Sequence, residues 1–429
     1  MAFREVDVGV NPRAMEVDSG EKRLNELGYK QELRREMSLF KTFAITFSAM
    51  AFFVGTPLYG PSLLYAGPAS LIWGYVVVTF FTWFVGFAMA EICSSFPCHE
   101  RMQVIGGFVV IIGLPLISTS TQSASYVFTH FETSPEATGI HSKPYAIILS
   151  VLLSQYCLYG YDTAAHLTEE TKGADRTGPM AILSCIGIIS TFGWAYILAL
   201  TFCIQDPANL FNTNNETAGA LVPAQIIYDV FNQRYHSGTG AIIILCIIWG
   251  TFFFCGLSVI TGAARVVYAL SRDGGIPFSP IWTKLHPKYK NPTNAVWLCA
   301  AISIILGLPI LKLNVIFTAI LSISTVGWVG SYAVPIFARL VMDEKHFTPG
   351  PFYLGRASKP VCLISFIYIC YTCAAFLLPT LYPLRWDTFN YAPIAISVAL
   401  TLILLWWFLD ARKWFKGPVR NIDVQNGVH

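Results

Sequence analysis

The residues most able to do chemistry in this 429-residue chain lie at the end of an apolar run, YAIILSVLLSQYCLYGYDTAAHLTEE, from Tyr145 to Glu170. There Tyr159-Gly160-Tyr161-Asp162 places a helix-weakening glycine and a carboxylate before a membrane span has ended. A carboxylate at the centre of a lipid-embedded helix costs about 2.5–3.5 kcal/mol and normally faces a cavity or a partner. A glycine beside it weakens the helix, and backbone carbonyls freed this way are tolerated only where they line a cavity. Such a stretch is a discontinuous helix forming half of a solute site. The competing reading is a plain helix with Asp162 reaching the cytoplasmic surface.

A second stretch has the same character. FFVGTPLYGP carries Gly55, Pro57, Gly60 and Pro61 in the middle of a span predicted from Thr42 to Leu64. These breakers fit one straight helix poorly, although a proline kink would also explain them. The amino end of a half-helix offers free N–H groups and roughly half a positive charge, suited to a carboxylate. Unwound carbonyls suit an ammonium group. Two broken helices side by side therefore suit a solute bearing both, an amino acid. Glu91 and Arg265 are the other charged residues inside long apolar runs. Both can be read as side chains reaching the inner interface, and Glu91 also as the partner of a cytoplasmic base.

The elements that must position these residues are membrane helices. The chain is 54% hydrophobic and 12% charged, with mean hydropathy +0.55, against about 25% charged residues in soluble domains. Repeated uncharged runs of about 20 residues predict a polytopic all-α membrane protein. The spans are expected near Thr42–Leu64, Ala69–Phe96, Tyr145–Ala165, Ala181–Ile204, Ala241–Leu270, Asn294–Leu311, Val315–Leu340, Val361–Leu381 and Pro393–Leu409, with a short, uncertain one at Val104–Ile117. The domain reading is a polar amino-terminal segment over 1–39, a transmembrane domain over 40–411 and a tail over 412–429.

Lysine and arginine placement sets the orientation. With the amino terminus in the cytoplasm, alternate loops carry Lys172 and Arg176, then Arg272, Lys284, Lys288 and Lys290, then Arg339, Lys345, Arg356 and Lys359, and a basic tail. Both termini are thus expected in the cytoplasm, in the plasma membrane or that of an organelle. Asn215-Glu216-Thr217 on the opposite side is a glycosylation tripeptide. Most cysteines sit in apolar runs and act as small apolar side chains. No spacing suggests a metal or cofactor, and no basic run interleaved with aromatics suggests nucleic acid. Enzyme signatures such as G-x-S-x-G or a phosphate-binding loop are missing.

Five stretches then carry a resemblance: LNELGYKQELRREMSLFKTFAITFS (24–48), MAEICSSFP (89–97), GYDTAAHLTEET (160–171), SRDGGIP (271–277) and NPTNAVWL (291–298). Together they resemble the amino acid–polyamine–organocation transporters, most closely the plant bidirectional amino-acid transporters, also called GABA permeases. The resemblance implies a leucine-transporter-like fold of two five-helix inverted repeats, each opening on a broken helix. It implies transport of amino acids, with GABA a candidate, and a coupling proton as a candidate partner. It places Gly55 and Thr56 at the substrate carboxylate, Tyr156, Tyr159 and Gly160 in contact with substrate, and Asp162 and Glu91 in coupling and gating.

One departure stands out. Where the family continues into its third and fourth helices, spans of about 20 residues each, Pro97 is followed here by CHERMQVIGG. Val104–Ile117 resembles the back half of the fifth helix, so the fold is expected to be incomplete. The alternative function is a non-transporting shortened form, degraded or acting through association with full-length protein.

Overall fold

In a computed structural model, the described residues are 39–50, 52–92, 109–167, 173–288, 290–311, 314–341, 352–386 and 388–415, with the isolated positions 25, 33, 107, 170 and 417. Among them every regular element is helical. In chain order the α-helices are α1 Leu39–Met50, α2 Thr56–Ile92, α3 Leu114–Ile117, α4 Ala124–Thr129, α5 Pro135–Thr138, α6 Lys143–Ser150, α7 Leu152–Cys157 and α8 Thr163–His166. There follow α9 Ala174–Phe202, α10 Val222–Tyr235, α11 Thr239–Arg272, α12 Ser279–Trp282, α13 Thr293–Gly307, α14 Asn314–Val341, α15 Ser358–Phe376 and α16 Ala392–Leu409. Seven helices among the described residues are long and apolar enough to cross a membrane. The two broken spans fall outside that group as wholes, because each is interrupted before reaching full length.

The first expected span is broken, but not at its prolines. Between α1 and α2 runs a 3₁₀ turn, Phe52–Gly55. Pro57 lies in the first turn of α2, where a missing N–H costs little, and Gly60 is helical, packed beneath Val222. The second interruption comes at Ala66 and Gly67, the latter at φ +74°. It separates the first span from the second. The loop after α4 supplies the partner for the amide this frees: Ala69 N–H donates to the His130 carbonyl at 3.1 Å.

α2 packs on α6, α7, α9 and α15; α9 also packs on α1, α11 on α1 and α13, and α14 along α15. Glycines allow the closest of these approaches: Gly74 lies under Val151 and Gly86 under Ile186, as suits helices that associate without a hydrophobic driving force. The largest fully buried side chains include Tyr59, Tyr75, Tyr161, Tyr332, Phe47 and Phe53.

Several expectations change. The short span is a π turn, Val109–Gly113, followed by α3; residues 109–117 rise about 13 Å against a hydrocarbon core of about 30 Å. Its beginning, the junction after Pro97, the segment 1–24 and Glu169 lie outside the described residues. Arg339, at the end of an expected span and counted with the basic loop after it, is in the last turn of α14 and buried. Helix α10 was not anticipated: its apolar positions alternate with polar ones too weakly to signal a helix, and it forms because Val222, Ile226, Ile227 and Val230 bury against the bundle.

Gln225 ties α10 to the preceding loop, donating at 2.8 Å to both Glu216 and Asp229. That bond holds Glu216 below its usual range, whereas burial pushes Asp229 up. In the glycosylation tripeptide the Asn215 amide donates to the Asn209 carbonyl at 2.7 Å, and its oxygen accepts from the Thr217 and Gly219 amides. The side chain organises this loop.

Candidate functional site

The helix of Tyr145–Glu170 comes apart between α7 and α8. Leu158 leaves helical geometry at φ −109°, ψ 40°, and Gly160 takes φ +95°, a region only glycine enters without strain. Thr163 N–H then bonds the Gly160 carbonyl at 3.2 Å and α8 begins. The residues from 158 to 162 make no continuous ladder.

Each break lies against the helix that leads into the other. A Cβ on Gly55 would fall on Cys157 Sγ and 2.6 Å from Leu153 Cδ1, both in α7. A Cβ on Gly160 would lie 3.5 Å from the Ala49 carbonyl oxygen, at the end of α1. Gly55 is thus the point where the first break crosses the second broken helix. Substitution of Gly55 by alanine is expected to destabilise the purified protein by about 1–3 kcal/mol through overpacking. Adding Cys157→Ala should recover part of the loss in a thermal-unfolding assay; no recovery would show that Leu153 rather than the Cys157 sulfur makes the clash, and no loss with Gly55→Ala alone would show that the crossing can shift to admit a methyl group.

Thr56, the first residue of α2, is buried; its hydroxyl donates to the Phe53 carbonyl at 2.5 Å and lies 3.3 Å from the Tyr196 hydroxyl. This local bond closes the 3₁₀ turn onto the helix start. Tyr156 and Tyr159 are half-buried, their rings edge to face at 5.5 Å. Tyr159 also meets Trp328 of α14 at 5.6 Å. These rings and the two breaks bound one region.

Asp162 does not reach the surface. It is 4% exposed, and its Oδ1 accepts from Trp328 Nε1 at 2.5 Å and from the Tyr332 hydroxyl at 2.6 Å. Its Oδ2 lies 3.0 Å from His166 Nε2. A buried carboxylate is tolerated where donors converge on it in this way. The Tyr332 hydroxyl also accepts the Gly160 N–H at 3.1 Å.

Glu91 stands apart from this region, buried where α2, α14 and α15 meet. Its Oε1 accepts from Ser358 Oγ at 2.7 Å and lies 3.4 Å from Arg339 Nε. Arg265 does not simply reach the interface either. Its Nε and Nη2 lie 2.7 and 3.3 Å from the two oxygens of Glu170, a partly buried bidentate pair joining α11 to the segment after α8. Sequence reading missed Trp328, Tyr332, Arg339 and Ser358. The first two sit on the face of α14 toward the break; nothing in their spacing distinguishes them from interface aromatics.

A family model described as "Amino acid permease" matches residues 103–400, well over half of the chain. The chain belongs to the amino acid permease family. Its relatives are membrane transporters rather than enzymes, and the permease is an integral multi-pass membrane protein. It is 38% identical to the amino-acid permease BAT1 homolog of Oryza sativa subsp. japonica, over 95% of this chain and 96% of the relative. It is 34% identical to the amino-acid permease BAT1 of Arabidopsis thaliana, over 95% and 97%. The GABA-specific permease of Saccharomyces cerevisiae is 25% identical, over 93% and 86%. The two plant alignments run over 505 positions, and 95% of a 429-residue chain supplies only about 408 of them, so about a hundred aligned positions have no residue in this permease. The family match begins at residue 103.

Proposed function

We propose that this permease moves amino acids across the membrane by alternating access, holding the zwitterion between the breaks at 52–55 and 158–162. The observation that carries the reading is that each interruption lies against the helix leading into the other, Gly55 on Leu153 and Cys157 of α7, and Gly160 beside the end of α1. Backbone at membrane depth gives up its own hydrogen bonds only where protein or a polar cavity replaces them. In this reading the amides of Gly55 and Thr56, at the positive end of α2, take the carboxylate. Carbonyls of 158–161 take the ammonium group, with Tyr156 and Tyr159 as aromatic walls that attract a cation. Asp162 couples the site to movement of the helices, and Glu91 holds the inner closure. GABA is a candidate substrate and a proton a candidate coupling ion. Both termini face the cytoplasm, as the lysine and arginine bias supports.

In this reading the relatives' positions without counterparts here fall between Pro97 and Met102, where the sequence departs from the family's pattern. The test is uptake of labelled alanine and GABA into proteoliposomes, with and without an inward proton gradient. This chain is compared with a form into which the extra positions of the rice relative have been inserted. Uptake by this chain is the expected result. Uptake only by the longer form would reject the reading for this permease and show that the inserted positions are required, and uptake by neither would reject the site as well.

A further inference from the structure

The break at 158–162 is held from a distance by one helix, α14. Tyr332 is 1% exposed, and its hydroxyl spans the interruption: it accepts the Gly160 N–H at 3.1 Å and donates to Asp162 Oδ1 at 2.6 Å. Its ring lies on Tyr161 at 5.1 Å between centroids. One turn earlier, Trp328 donates to the same Asp162 oxygen at 2.5 Å, and its ring meets Tyr159 at 5.6 Å. Every residue from Tyr159 to Asp162 therefore touches Trp328 or Tyr332. A hydroxyl can accept and donate at once, which is what bridging an amide and a carboxylate requires. Phenylalanine would fill the same space and do neither, leaving a buried amide with no helical partner beside a carboxylate short of one donor.

We propose that Tyr332, supported by Trp328, is the positioning residue that fixes the shape of the 158–162 break and thereby sets the affinity of the permease for its substrate. This rests on reading that break as part of the substrate site. Because Trp328 and Tyr332 share one face of α14, displacement of α14 must also move the carbonyls offered to substrate. α14 is thus the element through which the break senses the rest of the bundle.

The test is Tyr332→Phe in the full chain, reconstituted in proteoliposomes, with two readouts. Amide hydrogen exchange is followed by mass spectrometry in peptides covering 156–166, and the concentration dependence of labelled amino-acid uptake is measured. Exchange at 158–162 should rise while exchange over 178–202 stays unchanged. The half-saturating concentration should rise about tenfold, the worth of one hydrogen bond to a charged group, with maximal rate and protein abundance little altered. Trp328→Phe, which removes one donor and leaves the bridge, should move both readouts the same way by less. Combined with Asp162→Asn, Tyr332→Phe should add less than it costs alone, because only the Gly160 N–H then still loses a full partner.

Unchanged exchange at 158–162, or a rise spread over the whole chain, would overturn the proposal, as would lower abundance at unchanged half-saturation. Should Tyr332→Phe fail to insert, Trp328→Phe decides on the same criteria. If the unsubstituted permease transports no amino acid, the proposed function fails, while the exchange measurement still decides whether Tyr332 holds the break.

Discussion

Gly160→Leu is expected to abolish amino-acid uptake while leaving membrane insertion intact. The backbone at Gly160 has φ +95°, and a side chain there costs at least about 1–2 kcal/mol in backbone strain. A Cβ would find ordinary contact, 3.5 Å from the Ala49 carbonyl oxygen and 3.8 Å from Met50 Cγ, but the rest of a leucine would have to displace the end of α1. That moves one break against the other, and a misplacement of about 1 Å can cost about a hundredfold in rate. Gly160→Ala isolates the strain alone and should lose about 5- to 30-fold. Measured uptake in proteoliposomes, normalised to inserted protein, should therefore fall in the order glycine, alanine, leucine. Wild-type uptake by Gly160→Leu would remove this residue from the site. Equal losses for alanine and leucine would mean that the backbone angle matters and the crossing with α1 does not.

The largest expected effect on stability comes from Glu91. It is buried with Arg339 and Ser358, at 7%, 3% and 1% exposure. Glu91→Leu removes from the buried Arg339 guanidinium the carboxylate that faces it at 3.4 Å. Breaking a buried pair from one side typically costs about 3–5 kcal/mol, whereas replacing both partners by apolar residues of similar volume is often neutral or better. Glu91→Leu is accordingly expected to cut the yield of folded, detergent-extractable protein severely. Glu91→Leu with Arg339→Met should restore it. If the double substitution is as unstable as the single one, the loss arises from the Ser358 hydrogen bond or from packing rather than from an uncompensated charge. A restored but transport-dead double variant would show that the pair serves movement, since it joins α2 to α14 and α15.

Much of this architecture is legible in the sequence, for a reason particular to membranes. The hydrocarbon core demands uninterrupted apolar runs, so a glycine, proline or carboxylate within one is conspicuous. Gly55, Gly160 and Asp162 were found that way, and the broken spans that contain them are broken in the structure. The locations of the breaks were less legible. Pro57 and Pro61 dominate FFVGTPLYGP by composition, yet the chain leaves helical geometry before them and again at Gly67, because a proline near a helix start costs little. Arg339 looked like a loop residue because it stands next to a polar segment. It is buried because Glu91, far away in sequence, meets it there.

What the amino-acid order alone determined is the set of local conflicts with lipid: which runs span, where their helices weaken, and which charged groups need partners. Those follow from the properties of neighbouring residues within one helix. The tertiary structure alone decided how each conflict is resolved. Asp162 is satisfied by Trp328 and Tyr332, Glu91 by Arg339 and Ser358, and Gly55 by the absence of a side chain against Leu153 and Cys157. Each partner lies on another helix, and no spacing along the chain encodes which helices pack together. Hydrocarbon withholds hydrogen bonds from every unpaired group alike, so it makes a partner necessary without specifying which one; that choice belongs to the packing.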